Sequence, residues 1–192
     1  MEPEEFKELA RYLEGLLNER NITKEISNEA IVRTTIGRYY YYIFLKLRNE
    51  IIDAIDNTID VYKKENPKYV VSLTQLKKAI EPVLPGTSKS SKTSVHQVIQ
   101  LFLDEFADLT VADALYRLRW RRNFADYHLK TPIETKLRGE EITIKFQREE
   151  LVMIRRDIAK IEKWLQEKRF PIHSALNSEE APEKIESILK TK

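Results

Sequence analysis

Residues 111–129 read VADALYRLRWRRNFADYHL. Within them Val111, Leu115, Leu118, Arg122, Ala125 and Leu129 recur at alternating spacings of four and three, the period of one helical face turned inward. The stretch predicts a helix, and it places an arginine where a buried leucine should be. A lone guanidinium at such a position costs several kcal/mol unless paired. A negative group is therefore expected beside Arg122, either a carboxylate of this chain or a phosphate that comes and goes. Pro132 disfavours helical geometry at Thr131, so the helix should end close to His128.

Working outward, helical stripes dominate. Phe6, Leu9, Leu13 and Leu16 predict a first helix ending by Asn18 to Asn21. Ser27 and Asn28 are good N-cap residues, and no proline follows until Pro67, which predicts a long central helix. Its apolar residues point in more than one direction, from Ile31 and Val32 to Ile52 and Ile55, so neighbours are expected on several sides. Leu73 to Ile80 reads as a short helix stopped by Pro82 and Pro85. The stretch from Pro85 to Lys92 is the most loop-like in the chain. Ser94 can cap a helix carrying Val98, Ile99, Phe102 and Phe106, and Thr110 can cap the next. Past Pro132, Ile133, Thr135 and Leu137 alternate, Arg138-Gly139-Glu140 offers a turn, and Ile142, Ile144 and Phe146 alternate again: a hairpin. Leu151, Ile154, Ile158, Ile161 and Leu165 mark a last long helix up to Pro171. Ile185, Ile188 and Leu189 mark a short one in a polar tail.

The expected fold is mainly α, an up-and-down helical bundle with a small β-hairpin inserted near 133–146. Residues 1–173 are expected to form one domain and 174–192 a polar tail with a short helix. With 192 residues, 42% hydrophobic and 33% charged, the chain has the balance of a soluble globular protein, and 4 glycines are too few for a turn-rich β fold. The net charge of +2 hides unevenness. Arg117, Arg119, Arg121 and Arg122 cluster, while both ends are acid-rich, so a local basic surface is expected. There are 0 cysteines, which excludes a disulfide framework, a thiolate metal site and a thiol nucleophile. The opening Met-Glu-Pro-Glu-Glu is no signal peptide, and Tyr39 to Leu45 is too short a run to span a bilayer, so a cytoplasmic protein is expected, with no membrane partner. Scarce methionine with abundant Lys, Glu and Ile leans towards a thermophile. Glu149, Glu150, Glu162 and Glu167 show no spacing with histidine suited to a metal, and Gly86 and Gly139 are isolated, so neither a metal, a phosphate-cradling glycine loop nor any cofactor is expected.

Arg122 to His128, with Asn123 directly after the arginine, resembles the Arg-x(4-6)-His signature of HEPN domains. The local form Arg-x-x-Ala-Asp-Tyr at Arg122 to Tyr127 is similar to the family's bacterial and archaeal branch. Arg33-Thr34-Thr35-Ile36-Gly37-Arg38-Tyr39-Tyr40-Tyr41-Tyr42-Ile43-Phe44 resembles the family's Arg-Thr-x-x-x-Arg-x-Tyr-Tyr-x-x-Phe helix, and Thr93 to Ile99 looks like its Thr-His-x-x-Val segment, slightly shifted. The blocks occur in the family's order and cover residues 28–130. Neither His96 nor His173 has an arginine at the spacing the signature requires. The resemblance implies a metal-independent endoribonuclease that works as a homodimer, two such segments forming one cleft, with toxin or antiviral roles. In a toxin and antitoxin pair, a nucleotidyltransferase-type antitoxin could silence the protein by modifying Tyr127; the rival reading is a non-catalytic module that binds a nucleotide or a nucleotidyltransferase partner.

The residue types suit the chemistry. Cleaving RNA without a metal needs a proton taken from the 2′-hydroxyl, a stabilised phosphorane and a proton given to the leaving 5′-oxygen. Imidazole transfers protons near neutral pH, and arginine stays charged and grips phosphate through parallel hydrogen bonds. His128 is the candidate acid or base, Arg122 the phosphate-binding electrophile, and Asn123 an orienting group. Arg119 and Arg121, interleaved with Tyr116 and Trp120, are candidate RNA contacts, and Asp126, Tyr127 and Arg38 are candidate supports. The plainer reading stands beside this one: Arg122 and Asp126, four apart, can pair within the helix, His128 can be an ordinary helix-end residue, and Arg38 can anchor two helices through a carboxylate such as Asp126.

Overall fold

The computed structural model is described for the chain apart from residues 1, 20–26, 82–93, 129, 138, 168–170 and 192, and the side chains of 137, 140, 167 and 171. The order of elements is α1 (Pro3–Leu16), α2 (Asn28–Tyr62), α3 (Pro67–Ile80), α4 (Val95–Phe106), α5 (Leu109–Tyr127), β1 (Ile133–Leu137), β2 (Glu140–Ile144), α6 (Arg148–Glu167), α7 (Pro171–Leu176) and α8 (Ala181–Lys190). The protein is a mainly helical bundle with a small antiparallel hairpin. The loop-like stretch from Pro85 to Lys92 lies outside the described residues, as does Leu129 of the inward stripe.

The chain divides into two compact units, residues 1–45 with 113–162 and residues 46–112 with 163–192. Both units draw on the expected 1–173 domain, and the second also takes in residues 174–192. The long helix supplies one half to each unit, its first half belonging to the unit that holds the motif. The supposed tail belongs to the second unit, because α8 is amphipathic and buries Ala181, Ile185 and Ile188, packing on α3 and α4. A short polar segment with one apolar stripe gains more from such burial than from solvent, about 1.5–3 kcal/mol for each fully buried aliphatic side chain.

In the first unit, α1, the first half of α2, α5 and α6 enclose Ile36, Tyr40, Tyr42, Ile43, Leu118, Ile154 and Ile161, all at 2% exposure or less. In the 35-residue α2 the buried threonine hydroxyls return to the backbone, so neither is left without an acceptor. Thr35 donates to the Ile31 carbonyl at 2.8 Å. In the hairpin Ile133 faces Ile144 and Thr135 faces Ile142, so one face is apolar and Ile144 is buried. Lys136 and Glu141 pair on the other face at 2.9 Å. Gly139 turns the chain at φ 89°, a conformation that glycine adopts without strain.

The second unit is built differently. Leu73, Leu76 and Ile80 of α3, Val98, Ile99, Phe102 and Leu103 of α4 and Ile185 of α8 are all fully buried. Helix α3 starts earlier than its apolar stripe suggests, at Pro67, because Asn66 caps it by accepting from the Tyr69 N–H at 3.1 Å. Ser94 caps α4 as expected, accepting from the Gln97 N–H. Thr110 does not cap α5; the helix starts one residue before it.

Candidate functional site

Helix α5 ends at Tyr127, one residue before His128. Two neighbouring arginines of this helix fit its inward stripe, and the structure separates them. Arg121, three residues after Leu118 and four before Ala125, is the buried one, its side chain 6% exposed. Its Nε donates to Glu150 at 3.0 Å, and Nη1 lies 3.7 Å from Asp157. Arg117 donates to both oxygens of Asp157, through Nη2 at 2.7 Å and Nε at 3.1 Å. The carboxylates demanded by a buried guanidinium are therefore present, on α6 and beside Arg121. With its charge engaged there, Arg121 presents no guanidinium to solvent, in contrast to the expected RNA contact. Arg119, the other expected contact, is half-buried.

Arg122 lies at the margin of the core, its side chain 16% exposed. Nη2 donates to the Tyr41 hydroxyl at 3.0 Å, Nη1 to the Asn123 side-chain oxygen at 3.1 Å, and Nε pairs with Asp126 at 2.8 Å. The guanidinium also faces the Tyr127 ring, 5.7 Å from its centroid. Burial acts to lower its pKa, but Tyr41, Asp126 and Tyr127 outweigh that and the net shift is upward. Tyr127 adds a further side-chain hydrogen bond to the guanidinium. Asp126 thus pairs with Arg122 and is not the anchor of Arg38, whose guanidinium stands 5.9 Å from the Phe6 ring. Beside Arg122, the Tyr40 phenol is buried and its pKa is pushed up by that burial, with Arg119 and Arg122 pulling the other way.

His128 is exposed. Its ring packs edge-on against Phe124, 4.9 Å between centroids, and its backbone N–H donates to the Phe124 carbonyl at 3.1 Å. The contact closes an aromatic ladder along one side of α5, in which Tyr116, Trp120, Phe124 and His128 follow at intervals of one helical turn. Trp120 is 36% and Tyr127 72% exposed, an uncommon amount of aromatic surface for a helix face. In a single chain Arg122 turns to Tyr41 and His128 to Phe124, so the two predicted catalytic side chains share a helix end but no partner.

The residue that sequence reasoning left without a role is Arg33. From α2 it reaches the end of α5, donating through Nη1 to the carbonyls of Phe124 at 3.2 Å and Ala125 at 2.9 Å. The last carbonyls of a helix have no partner within it, and a cation there is favourable by about 0.3–1 kcal/mol. Glu29 holds the guanidinium from one side, at 2.8 Å from Nε. Phe146 covers it from another, 3.9 Å from ring centroid to the guanidinium carbon. No sequence spacing links position 33 to positions 124, 125 and 146; only the packing of α2 on α5 does.

Among the described residues no three His, Asp or Glu side chains gather as a metal site. Among the same residues no helix is long and apolar enough to cross a membrane.

Comparison with known proteins finds archaeal relatives. The chain is 35% identical over 143 residues to the uncharacterized protein MJ0992 of Methanocaldococcus jannaschii, covering 74% of this chain and 70% of that protein. A second protein of the same archaeon, the uncharacterized protein MJ0628, is 31% identical over 125 residues, 65% of this chain and 64% of its own length, just under two thirds. No protein-family model matches the chain, and no solved structure matches it significantly.

Proposed function

We propose that this chain, which belongs to the family of the Methanocaldococcus jannaschii protein MJ0992, is a metal-independent endoribonuclease of the HEPN type. It acts as a homodimer on single-stranded RNA, leaves 2′,3′-cyclic phosphate and 5′-hydroxyl ends, and serves as a toxin or antiviral effector. The observation that carries the reading is the pairing of a preorganised guanidinium with an exposed imidazole at one helix end. Arg122 is fixed by Tyr41, Asn123 and Asp126, so little ordering entropy remains when it meets a phosphorane. His128 is open to solvent and anchored on Phe124, which suits a group that exchanges protons with substrate.

On this reading the two side chains divide the chemistry between them. One imidazole takes the 2′-hydroxyl proton, and the oxygen attacks the adjacent phosphorus. Arg122 neutralises the charge that builds on the non-bridging oxygens. A second imidazole gives the leaving 5′-oxygen its proton. A single chain holds one such imidazole in the signature and turns it away from its own arginine, so a second copy completes the set, its axis bringing two segments together. The exposed Trp120 and Tyr127 offer faces on which bases stack.

One observation favours the rival reading. The Arg122–Asp126 pair at 2.8 Å already satisfies part of the guanidinium charge, as a purely structural arginine would require. On that reading the exposed Tyr127 docks a nucleotide or a nucleotidyltransferase partner and the RNA chemistry is absent.

The deciding experiment incubates end-labelled RNA with the protein in EDTA and identifies the new termini. Cyclic phosphate ends, lost by about 10²–10³-fold in Arg122→Ala and about 10²–10⁴-fold in His128→Ala, are expected. Variants that cut as fast as the parent, or cutting that appears only with added magnesium, refute the assignment.

A further inference from the structure

We infer that Arg33 is a positioning residue for His128: it clamps the carbonyl to which His128 is tied and so sets where the imidazole stands. The inference rests on the ribonuclease reading for its kinetic consequence, but its geometry is independent of it. The Phe124 carbonyl accepts from two donors, the His128 N–H at 3.1 Å and Arg33 Nη1 at 3.2 Å. The same Phe124 supplies the ring on which the imidazole packs. Both attachments of His128 therefore run through one residue, and that residue is held from outside its own helix by Arg33.

Arg33 is itself held from two sides, although its buried Nη2 makes no hydrogen bond. Glu29 accepts from Nε at 2.8 Å and its carboxylate lies 2.7 Å from Nη2 as an ion pair, and the Phe146 ring covers the guanidinium. Phe146 is 1% exposed and sits at φ 46°, a left-handed conformation that a bulky side chain adopts only when its surroundings impose it. A fixed guanidinium reaching two carbonyls at a helix end is more than charge compensation, because it removes the fraying by which terminal turns normally move. Lysine cannot reproduce this reach, having a single nitrogen and no planar fork.

The test compares Arg33→Lys and Arg33→Gln with the parent by amide hydrogen exchange, by proton contacts between the Phe124 and His128 rings, and by RNA cleavage in EDTA. Loss of a charge-assisted hydrogen bond should speed exchange of the His128 amide by about tenfold or more, while amides in the middle of the helix, such as Leu118, stay protected. The ring contact should weaken. For cleavage, kcat should fall by about 10–100-fold with KM little changed, as a misplaced catalytic group produces, and Arg33→Lys should recover part of the loss. An unchanged His128 amide and ring contact in both variants overturns the inference. So does a kcat equal to the parent's, and so does loss of the whole fold in Arg33→Lys and Arg33→Gln alike, since Arg33 would then be a core support. If the parent itself cuts no RNA, the ribonuclease reading fails, and the exchange and ring measurements still decide whether Arg33 holds His128.

Discussion

The two compact units bury different kinds of chemistry. The second unit is largely apolar where it is buried: Leu73, Leu76, Ile80, Val98, Phe102 and Ile185 carry it, with Thr58, Gln100 and the Tyr69 phenol as buried polar groups among the described residues. The first unit buries charge as well. Arg121 and Asp157 are 5% and 4% exposed, Arg33 closes a helix end, and Tyr42 donates to Glu162 at 2.5 Å while Lys7 holds the same carboxylate. Apolar contacts alone suffice to make helices adhere, whereas a polar network fixes one arrangement of side chains and is costly when incomplete. The polar unit is also the one that carries the signature residues. The difference teaches that the half carrying the signature residues is the one in which a polar network, beside the apolar core, holds side chains in one arrangement.

The largest effects that can break this comparison are kinetic. On the proposed ribonuclease reading, Leu76→Ala in the second unit should leave the cleavage rate per folded molecule within about twofold of the parent, while Arg122→Ala and His128→Ala lower it by about 10²–10⁴. Rates normalised by folded fraction, taken from circular dichroism, decide the matter. If Leu76→Ala slows the chemistry as much as Arg122→Ala does, the contrast between the two units fails.

Next come stability effects. Asp157→Ala strands Arg117 and Arg121 without their shared carboxylate and should cost about 3–5 kcal/mol, the penalty of a broken buried ion pair. Leu76→Ala, an aliphatic cavity, should cost about 2–5 kcal/mol. The two differ in what rescues them. Adding Arg121→Met to Asp157→Ala removes one stranded charge and should return part of the loss, and urea titrations of the single and double variants measure that coupling. A double variant no more stable than Asp157→Ala would show that Arg121 is adequately served by Glu150 alone.

Much of the fold was legible because helical burial leaves a periodic trace. The stripes of α1, α4, α6 and α8 and the alternation of the hairpin all appear in the chain as read. The division into units was not, because an uninterrupted α2 gives no breaker where one unit yields to the other. At the site the trace was ambiguous in an instructive way. Positions 121 and 122 both complete the spacing between Leu118 and Ala125, and the sequence reading chose Arg122 as the inward one. Arg121 is the deeper, with Glu150 and Asp157 to meet it. The missing information was on α6, since which of two adjacent cations turns inward depends on where the opposing carboxylates are. Arg33 was quoted within a motif and still had no role assigned, because capping a distant helix end is a three-dimensional relation with no spacing of its own.

The smallest effect tests the phenols that the first unit buries. Burial raises the pKa of Tyr39, Tyr40 and Tyr42, and for Tyr42 the hydrogen bond and charge of Glu162 raise it further. In the second unit, burial likewise raises Tyr69, which donates to the Leu176 carbonyl at 2.6 Å. A folded phenol that binds its proton more tightly than the unfolded one contributes stability that is intact below the unfolded value of about 10 and is lost as pH rises beyond it. Unfolding free energy should therefore be flat around neutrality with respect to these groups and fall above about pH 10, by up to about 1.4 kcal/mol per pH unit for each phenol that must ionise. Tyr42→Phe should cost only about 1 kcal/mol at neutral pH, because Lys7 remains on Glu162 at 2.5 Å and no charge is stranded. It should, however, make the alkaline decline shallower, since one proton-linked group is gone. Urea midpoints of parent and variant on both sides of about pH 10 give both quantities, and parallel alkaline slopes would mean that Tyr42 releases its proton as readily folded as unfolded, leaving the Tyr42–Glu162–Lys7 contact without energetic weight.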